Sequence, residues 1–383
     1  MTRVGLVLII NDNWLGGVNY YRNLVTAVYN MPNRNIEFVI FTDRKSSCKY
    51  LEDFQHLEII RTSLFDRFSL AWLFRKVGIR LFRNDFLFSR LLKKNKVDIL
   101  SHSGWLGKKS KIPAIGWIPD FQHLHLQNFF TEKEREFRNK SFADLCNLCT
   151  KVIVSSHDAL KDLYQFAPGA IDKAVILRFS VPPMKIADNS SDLDELKLKY
   201  SFTSPFFLLP NQFWAHKNHK VVVEALGILK KKNKKITVLA TGNTHDPRQL
   251  NFFSSLEKLI ESNDVKGEFK VLGLIPKNHL EVLFINANAI INPSLFEGWS
   301  TTVEEAKVLG KRILLSNLSI HQEQKPTLGV YFEPHDANKL ALLLEEYVNV
   351  ICLNEPDINE AEKNFINYGV TYQNIVNHVV HQA

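Results

Sequence analysis

The sequence predicts an α/β protein built on two parallel sheets. Short apolar, β-branched runs alternate with helix-compatible stretches, the pattern of strands joined by helical crossovers. The alternation forms two series, separated by Pro182-Pro183 and the polar run ADNSSDLDE from Ala187 to Glu195, which has the composition of a linker. A chain of 383 residues with 45% apolar content is long enough for two ordinary cores.

The first strand is Val4–Ile10, an apolar run stopped by Asn11-Asp12-Asn13. It is too short to span a membrane and has no small-residue cleavage site. The loop Trp14-Leu15-Gly16-Gly17-Val18 then opens a helix. There, missing side chains let ligand phosphates or an acceptor reach backbone N–H groups, although tight turning would equally explain both glycines. Ile36–Thr42, Val97–Ser101, Ile112–Trp117, Lys151–Ser155 and Val175–Leu177 continue the first series. The second comprises Phe206–Leu209, Ile236–Thr241, Phe269–Leu272, Asn288–Asn292, Arg312–Leu315 and Gly329–Phe332. Asn359 to His381 is helix-compatible.

The net charge of +8 is concentrated between Arg67 and Lys96, where nine basic residues face one acid, Asp85. Interleaved Phe68, Trp72, Phe74, Phe82 and Phe86 give the composition of a basic amphipathic helix in an anionic membrane interface. The alternative is a helix pair packed on a sheet with solvated cations. Nucleic acid is not expected, because the apolar residues exceed what stacking on bases needs. Cysteines 48, 146, 149 and 352 form no disulfide framework, and Cys146-x-x-Cys149 lacks a second pair at zinc spacing. A reducing cytosol fits. Asp192-x-Asp194 lies among solvating residues and reads as linker rather than as a metal pair.

The most informative stretch is NPSLFEGWSTTVEEA, Asn292 to Ala306. Asn292-Pro293-Ser294 ends a strand, and Thr301-Thr302-Val303-Glu304 has capping-box spacing, so a helix should start near Ser300 or Thr301 with its N–H groups facing the turn. That end attracts anions. Glu297 in the turn and Glu305 one helical turn inside can each accept hydrogen bonds from a polyol on either side of the anion. Two polyols flanking a diphosphate describe a nucleotide sugar. Glu304 and Glu305 also suit plain dipole-complementing roles.

These residues resemble the family 4 glycosyltransferases of GT-B architecture, of the kind found in bacterial surface polysaccharide and lipopolysaccharide biosynthesis, whose signature is two glutamates separated by seven residues in an FEG-type turn. The resemblance implies two Rossmann-like domains facing a central cleft, over 1–185 and 200–357, with a helix at 358–383 crossing back to the first. It implies that Glu297 contacts the donor sugar, that the amides from Gly298 through Trp299, Ser300 and Thr301 hold the diphosphate, and that Glu305 binds the ribose. Gly16 and Gly17 would lie near the donor phosphates.

In Leu209-Pro-Asn-Gln-Phe-Trp-Ala-His-Lys-Asn-His219, relatives carry an Arg and, five residues on, a Lys; here these are Gln212 and Lys217. Phosphate stabilisation then leans on Lys217, His216 and the helix end, with a charge-assisted bond of about 1.5–3 kcal/mol from Lys217. The backbone at Ile275 would meet the nucleobase. Where many relatives have a His-Asp pair, this chain has Pro119-Asp120 with His123 three residues on, so either Asp120 or His123 orients or deprotonates the acceptor hydroxyl. The implied reaction is metal-independent, cofactor-free hexosyl transfer with retention, from a nucleoside-diphosphate sugar to a glycan or lipid-linked glycan. It would take place in the cytoplasm or at the inner face of its membrane. A non-catalytic basic membrane- or nucleic-acid-binding protein, and a GT-B epimerase or phosphorylase, are the alternatives.

Overall fold

The computed structural model describes residues 1–9, 15–46, 51–184, 190–350 and 356–382. Ile10 to Trp14, Cys48, Cys352 and the start of the expected linker lie outside them. The chain forms two compact units. The first comprises Met1–Phe121, Lys133–Pro182 and Glu362–Ala383; the second comprises Gln122–Glu132 and Pro183–Ala361.

In the first unit, β1 (Thr2–Val7), β2 (Ile36–Thr42), β3 (Glu58–Arg61), β4 (Ile99–Ser101), β5 (Ala114–Ile118), β6 (Lys151–Val154) and β7 (Ala174–Ile176) form one sheet of order β3-β2-β1-β4-β5-β6-β7. Every pairing is parallel. Strand β3 is absent from the sequence reading, because Glu58-Ile59-Ile60-Arg61 offers only two apolar residues between charges. Val4, Leu6 and Leu8 meet Ile36, Phe38 and Ile40 in the main core, as the two-residue period of a strand requires.

The helix Ile358–Gln382 completes that core from the far end of the chain. Phe365, Tyr368, Tyr372, Val376 and Val379 are buried in it, spaced as one face of a helix. A Cβ on Gly369 would come within 2.6 Å of the Ala27 carbonyl. The terminal helix therefore touches the backbone of the helix Leu15–Tyr29, and only glycine allows that approach.

In the second unit, β8 (Phe206–Leu209), β9 (Thr237–Thr241), β10 (Phe269–Gly273), β11 (Ile290–Asn292), β12 (Ile313–Ser316) and β13 (Gly329–Phe332) form a parallel sheet of order β10-β9-β8-β11-β12-β13. Both faces are covered. Phe207, Leu209, Val238, Ala240, Ile291 and Leu314 enter one cluster, and Phe206, Leu208, Leu239, Ile290, Ile313 and Leu315 the other. The expected linker is corrected at its C-terminal half. Ser190–Tyr200 is a helix because Leu193 and Leu196 find the second of these clusters, which a local reading of solvating residues cannot see.

The order of strands reverses direction between β1 and β4 in the first sheet and between β8 and β11 in the second. In open parallel sheets ligands bind beyond the carboxyl ends of the strands at such reversals.

Candidate functional site

The loops leaving β8 and β11 carry the two strongest sequence motifs, and the second unit brings them together at its reversal point. Asn218 adopts the left-handed conformation (φ 56°) that short polar residues tolerate. Its amide donates to the carbonyls of Pro293 (2.9 Å) and Pro334 (2.7 Å), tying together the loops after β8, β11 and β13. The Leu295 N–H donates to the His216 carbonyl at 2.8 Å. Across this joint the Lys217 ammonium meets Glu297 Oε1 at 2.6 Å, with side chains only 14% and 9% exposed.

The turn itself rests on a buried polar network. Asn292 donates through Nδ2 to Ser300 Oγ at 2.8 Å. The Ser294 hydroxyl lies 2.6 Å from Glu297 Oε1 and 2.8 Å from Asn292 Oδ1, sharing one proton between them. Ser316 donates to the Ser294 carbonyl at 2.6 Å. Gln324 accepts from Ser300 N (3.1 Å) and donates to the Ser300 carbonyl (2.9 Å) and to Glu304 (2.9 Å).

The helix Thr301–Val308 starts where expected, with Ser300 as N-cap, but the capping box does not form. With Ser300 rather than Thr301 as N-cap, Glu304 falls one residue beyond the position the box needs, and the Ser300 hydroxyl accepts from the buried Asn292 amide. Glu304 turns inward to Gln324 and Lys307, and burial raises its pKa. First-turn N–H groups have no partner within their own helix, so those of Thr301 and Thr302 add positive potential at the end of the turn that carries Glu297. Glu305 sits half-buried one turn in.

Gln212 holds the scaffold, since its side-chain carbonyl accepts from Asn243 N at 2.9 Å and so fixes the loop after β9. The nearby cation is Arg248, which the sequence reading misses. It donates to Gln122 Oε1 at 2.7 Å, stands 3.5 Å from His216 Nδ1, and lies over the rings of Phe130 (4.8 Å) and Trp214 (5.3 Å). Burial, together with Lys217 and Arg248, holds the His216 pKa well below the usual imidazole value. The buried His219 stacks on Phe213 at 4.3 Å, and burial pushes its pKa down to about 3. Ile275, just beyond β10, packs partly buried against the second unit's core.

His123 and Asp120 belong to different units. His123 is buried in the short helix Gln122–His125, edge-on to Phe130, while His125 packs on Phe296 at 5.1 Å. The segment holding His123 thus lies beside the Glu297 turn. Asp120 is ion-paired with Arg138 at 2.5 Å.

Gly16 lies exposed in the first turn of its helix, and a Cβ there would meet nothing within 4 Å. Gly17 follows it, buried. Gly16 does not have the left-handed backbone of a tight turn, so open space, rather than turning, distinguishes that position. At the first sheet's reversal, the buried His102 is held between Tyr20 OH and Ser101 Oγ, both at 2.8 Å, and burial lowers its pKa to about 3. Cys146 and Cys149 are buried free thiols, with burial raising the first and pushing the second up to about 12; such thiols are inert as nucleophiles.

Comparison with known proteins adds to this geometry. Residues 194–369 match the family model described as Glycosyl transferases group 1. The chain is 24% identical over 155 residues to the O-antigen chain mannosyltransferase RfbU of Salmonella typhimurium, covering 39% of this chain and 38% of that protein. It is 27% identical over 86 residues to the O-antigen chain mannosyltransferase B of Escherichia coli, covering 22% and 23%. The chain thus spans well under half the length of the curated relatives it matches. Among solved structures, Anabaena Alr3699/HepE in complex with UDP and glucose is similar with a TM-score of 0.73 at 12% identity, over 98% of this chain and all of that one. The glycosyltransferase from Rickettsia africae ESF-5 gives 0.68 at 17%, over 98% and 96%. These likenesses show the fold, which is the GT-B architecture.

Proposed function

We propose, from the premise that residues 194–369 form a glycosyl transferases group 1 domain, that this chain is a retaining, metal-independent hexosyltransferase using a nucleoside-diphosphate sugar. The observation that carries the reading is the joint at the reversal of the second sheet, where Lys217, Glu297 and the N-terminus of the helix Thr301–Val308 converge. Lys217, the amides of Gly298 to Thr301 and the helix dipole would meet the diphosphate charge that grows as the leaving group departs, in the manner of preorganised electrostatic stabilisation. Glu297, fixed by Ser294, would accept from sugar hydroxyls; Glu305 would accept from the ribose; the backbone at Ile275 would border the base. Arg248 supplies a guanidinium in a site whose Gln212 is neutral. Gly16 and Gly17 would leave backbone N–H groups of residues 1–185, the acceptor side, open to a donor phosphate; residues 200–357 would hold the donor, and 358–383 would anchor to the first unit.

Mannose is the sugar that the names of the two curated relatives support, and a glycan or lipid-linked glycan is the acceptor, at the cytoplasmic face of the membrane. Asp120 or His123 serves the acceptor hydroxyl. The Asp120–Arg138 ion pair favours His123 for that role. The test is thermal melting with UDP, GDP, ADP, CMP and dTDP. At 100 times its dissociation constant, one of them should stabilise the fold by about 2.7 kcal/mol, and Glu305→Ala and Lys217→Ala should abolish the shift. No shift with any nucleotide, in a protein that still melts cooperatively, refutes the donor site.

A further inference from the structure

The first unit presents an apolar stripe outward. The helix Leu70–Phe82 buries no residue, although a surface helix ordinarily turns its apolar stripe to the core. Leu70, Leu73, Phe74, Val77 and Leu81 recur at the spacing of one helical face, and all are exposed, Leu70 at 73% and Leu81 at 68%. Phe68 before them is 78% exposed on a left-handed backbone, φ 69°, a conformation costly for a bulky residue. The helix is held to the domain through its other side. Arg75 meets the buried Asp85 at 2.7 Å and lies over the rings of Phe65 and Phe88.

The next helix, Phe86–Lys94, continues the face. Its exposed Phe86 touches Phe82 edge to face and lines an open cavity of about 490 Å³. Around that cavity stand Arg90, Lys93, Lys96, Lys109 and Lys111 against one carboxylate, Asp98. The basic loop is fixed to the corner between the helices, since Lys109 N donates to Asn84 Oδ1 at 2.8 Å and Asp85 N to the Leu106 carbonyl at 2.9 Å. Apolar stripe and cationic basin thus meet at a corner fixed by hydrogen bonds, where Phe82 touches Phe86.

We infer that this surface docks on an anionic lipid bilayer, with the Leu70–Leu81 stripe in the acyl boundary and lipid phosphates at the basin. The charge selects this occupant. A second copy would bring the same cations against one another, whereas anionic headgroups neutralise them. No helix among the described residues is long and apolar enough to cross a membrane; an amphipathic face of this kind lies along the interface. This inference stands apart from the donor reading, because binding is measured without a nucleotide.

The experiment is co-sedimentation of the full chain with vesicles of phosphatidylcholine alone and of phosphatidylcholine doped with phosphatidylglycerol, at low and high salt. Binding should favour the anionic vesicles roughly tenfold or more and weaken as salt rises. Phe74→Ser/Leu81→Ser and Arg90→Glu/Lys93→Glu should each reduce it about tenfold with the melting transition unmoved, since these side chains are already exposed in the folded state. Equal binding to both vesicle types, no binding at low salt, or retained binding in either double variant overturns the inference. So does a wild-type dimer that Phe74→Ser/Leu81→Ser converts to monomer without changing vesicle binding.

Discussion

Lys217 and Glu297 neutralise one another in a nearly closed environment, so removing either charge strands the other. In Lys217→Met, Glu297 keeps the Ser294 hydroxyl but loses the ammonium at 2.6 Å; a hydrogen bond to a charged group is worth about 1.5–3 kcal/mol. In Glu297→Gln, an amide oxygen replaces the carboxylate beside a buried ammonium, with a loss of similar size. The double variant loses the pair once, not twice, so the cycle should show a coupling of about 1.5–3 kcal/mol. For a unit of this size each single change lowers the melting point by roughly 3–12 °C. Urea unfolding of all four proteins measures the cycle. Additive effects within about 0.5 kcal/mol would show that the two side chains do not pair in solution, and the description of the joint would fall. If the pair also serves the donor, Lys217→Met should weaken binding of the stabilising nucleoside diphosphate roughly tenfold to a hundredfold.

Gly16→Ala separates structure from ligand. Its Cβ meets nothing within 4 Å, so the helix should gain about 0.5–1 kcal/mol, while the KM for the donor rises if phosphates approach that backbone; an unchanged KM removes Gly16 from the site. Gly369→Ala drives a Cβ to 2.6 Å from the Ala27 carbonyl and should destabilise the first unit by about 1–3 kcal/mol, read by calorimetry. His102 and His219 have folded pKa values near 3, against about 6.5 unfolded. Their stabilisation is therefore complete above pH 6.5 and is lost as pH falls toward 3, by about 2 kcal/mol per histidine at pH 5. In His102→Gln the loss between pH 7 and pH 5, followed by urea midpoints, should shrink by about that amount, and an unchanged slope refutes the assignment.

The buried strands were legible because a parallel sheet covered on both faces writes its strands as continuous apolar runs, as in Ile36–Thr42 and Phe206–Leu209. Glu58–Arg61 escapes that rule as an edge strand. The Glu297 turn and the Lys217 loop are visible because each follows such a run, but their meeting depends on the order of strands, which local sequence does not encode. Arg248 lies in an irregular loop after β9 with no periodicity to mark it. The expected capping box misses by one residue, since Ser300 is the N-cap, and the helix start is held instead by Asn292 and Gln324, whose proximity to Ser300 only the fold reveals.

Because the helix Ile358–Gln382 fills the core that β1 and β2 begin, one unit is closed by segments more than three hundred residues apart. During synthesis the first unit must wait, its apolar sheet uncovered, until Phe365 to Val379 leave the ribosome, while the second unit already has all of its sequence. Deleting the stretch from Phe365 to Val379 would then unfold the first unit and spare the second, although the second is the nearer in sequence.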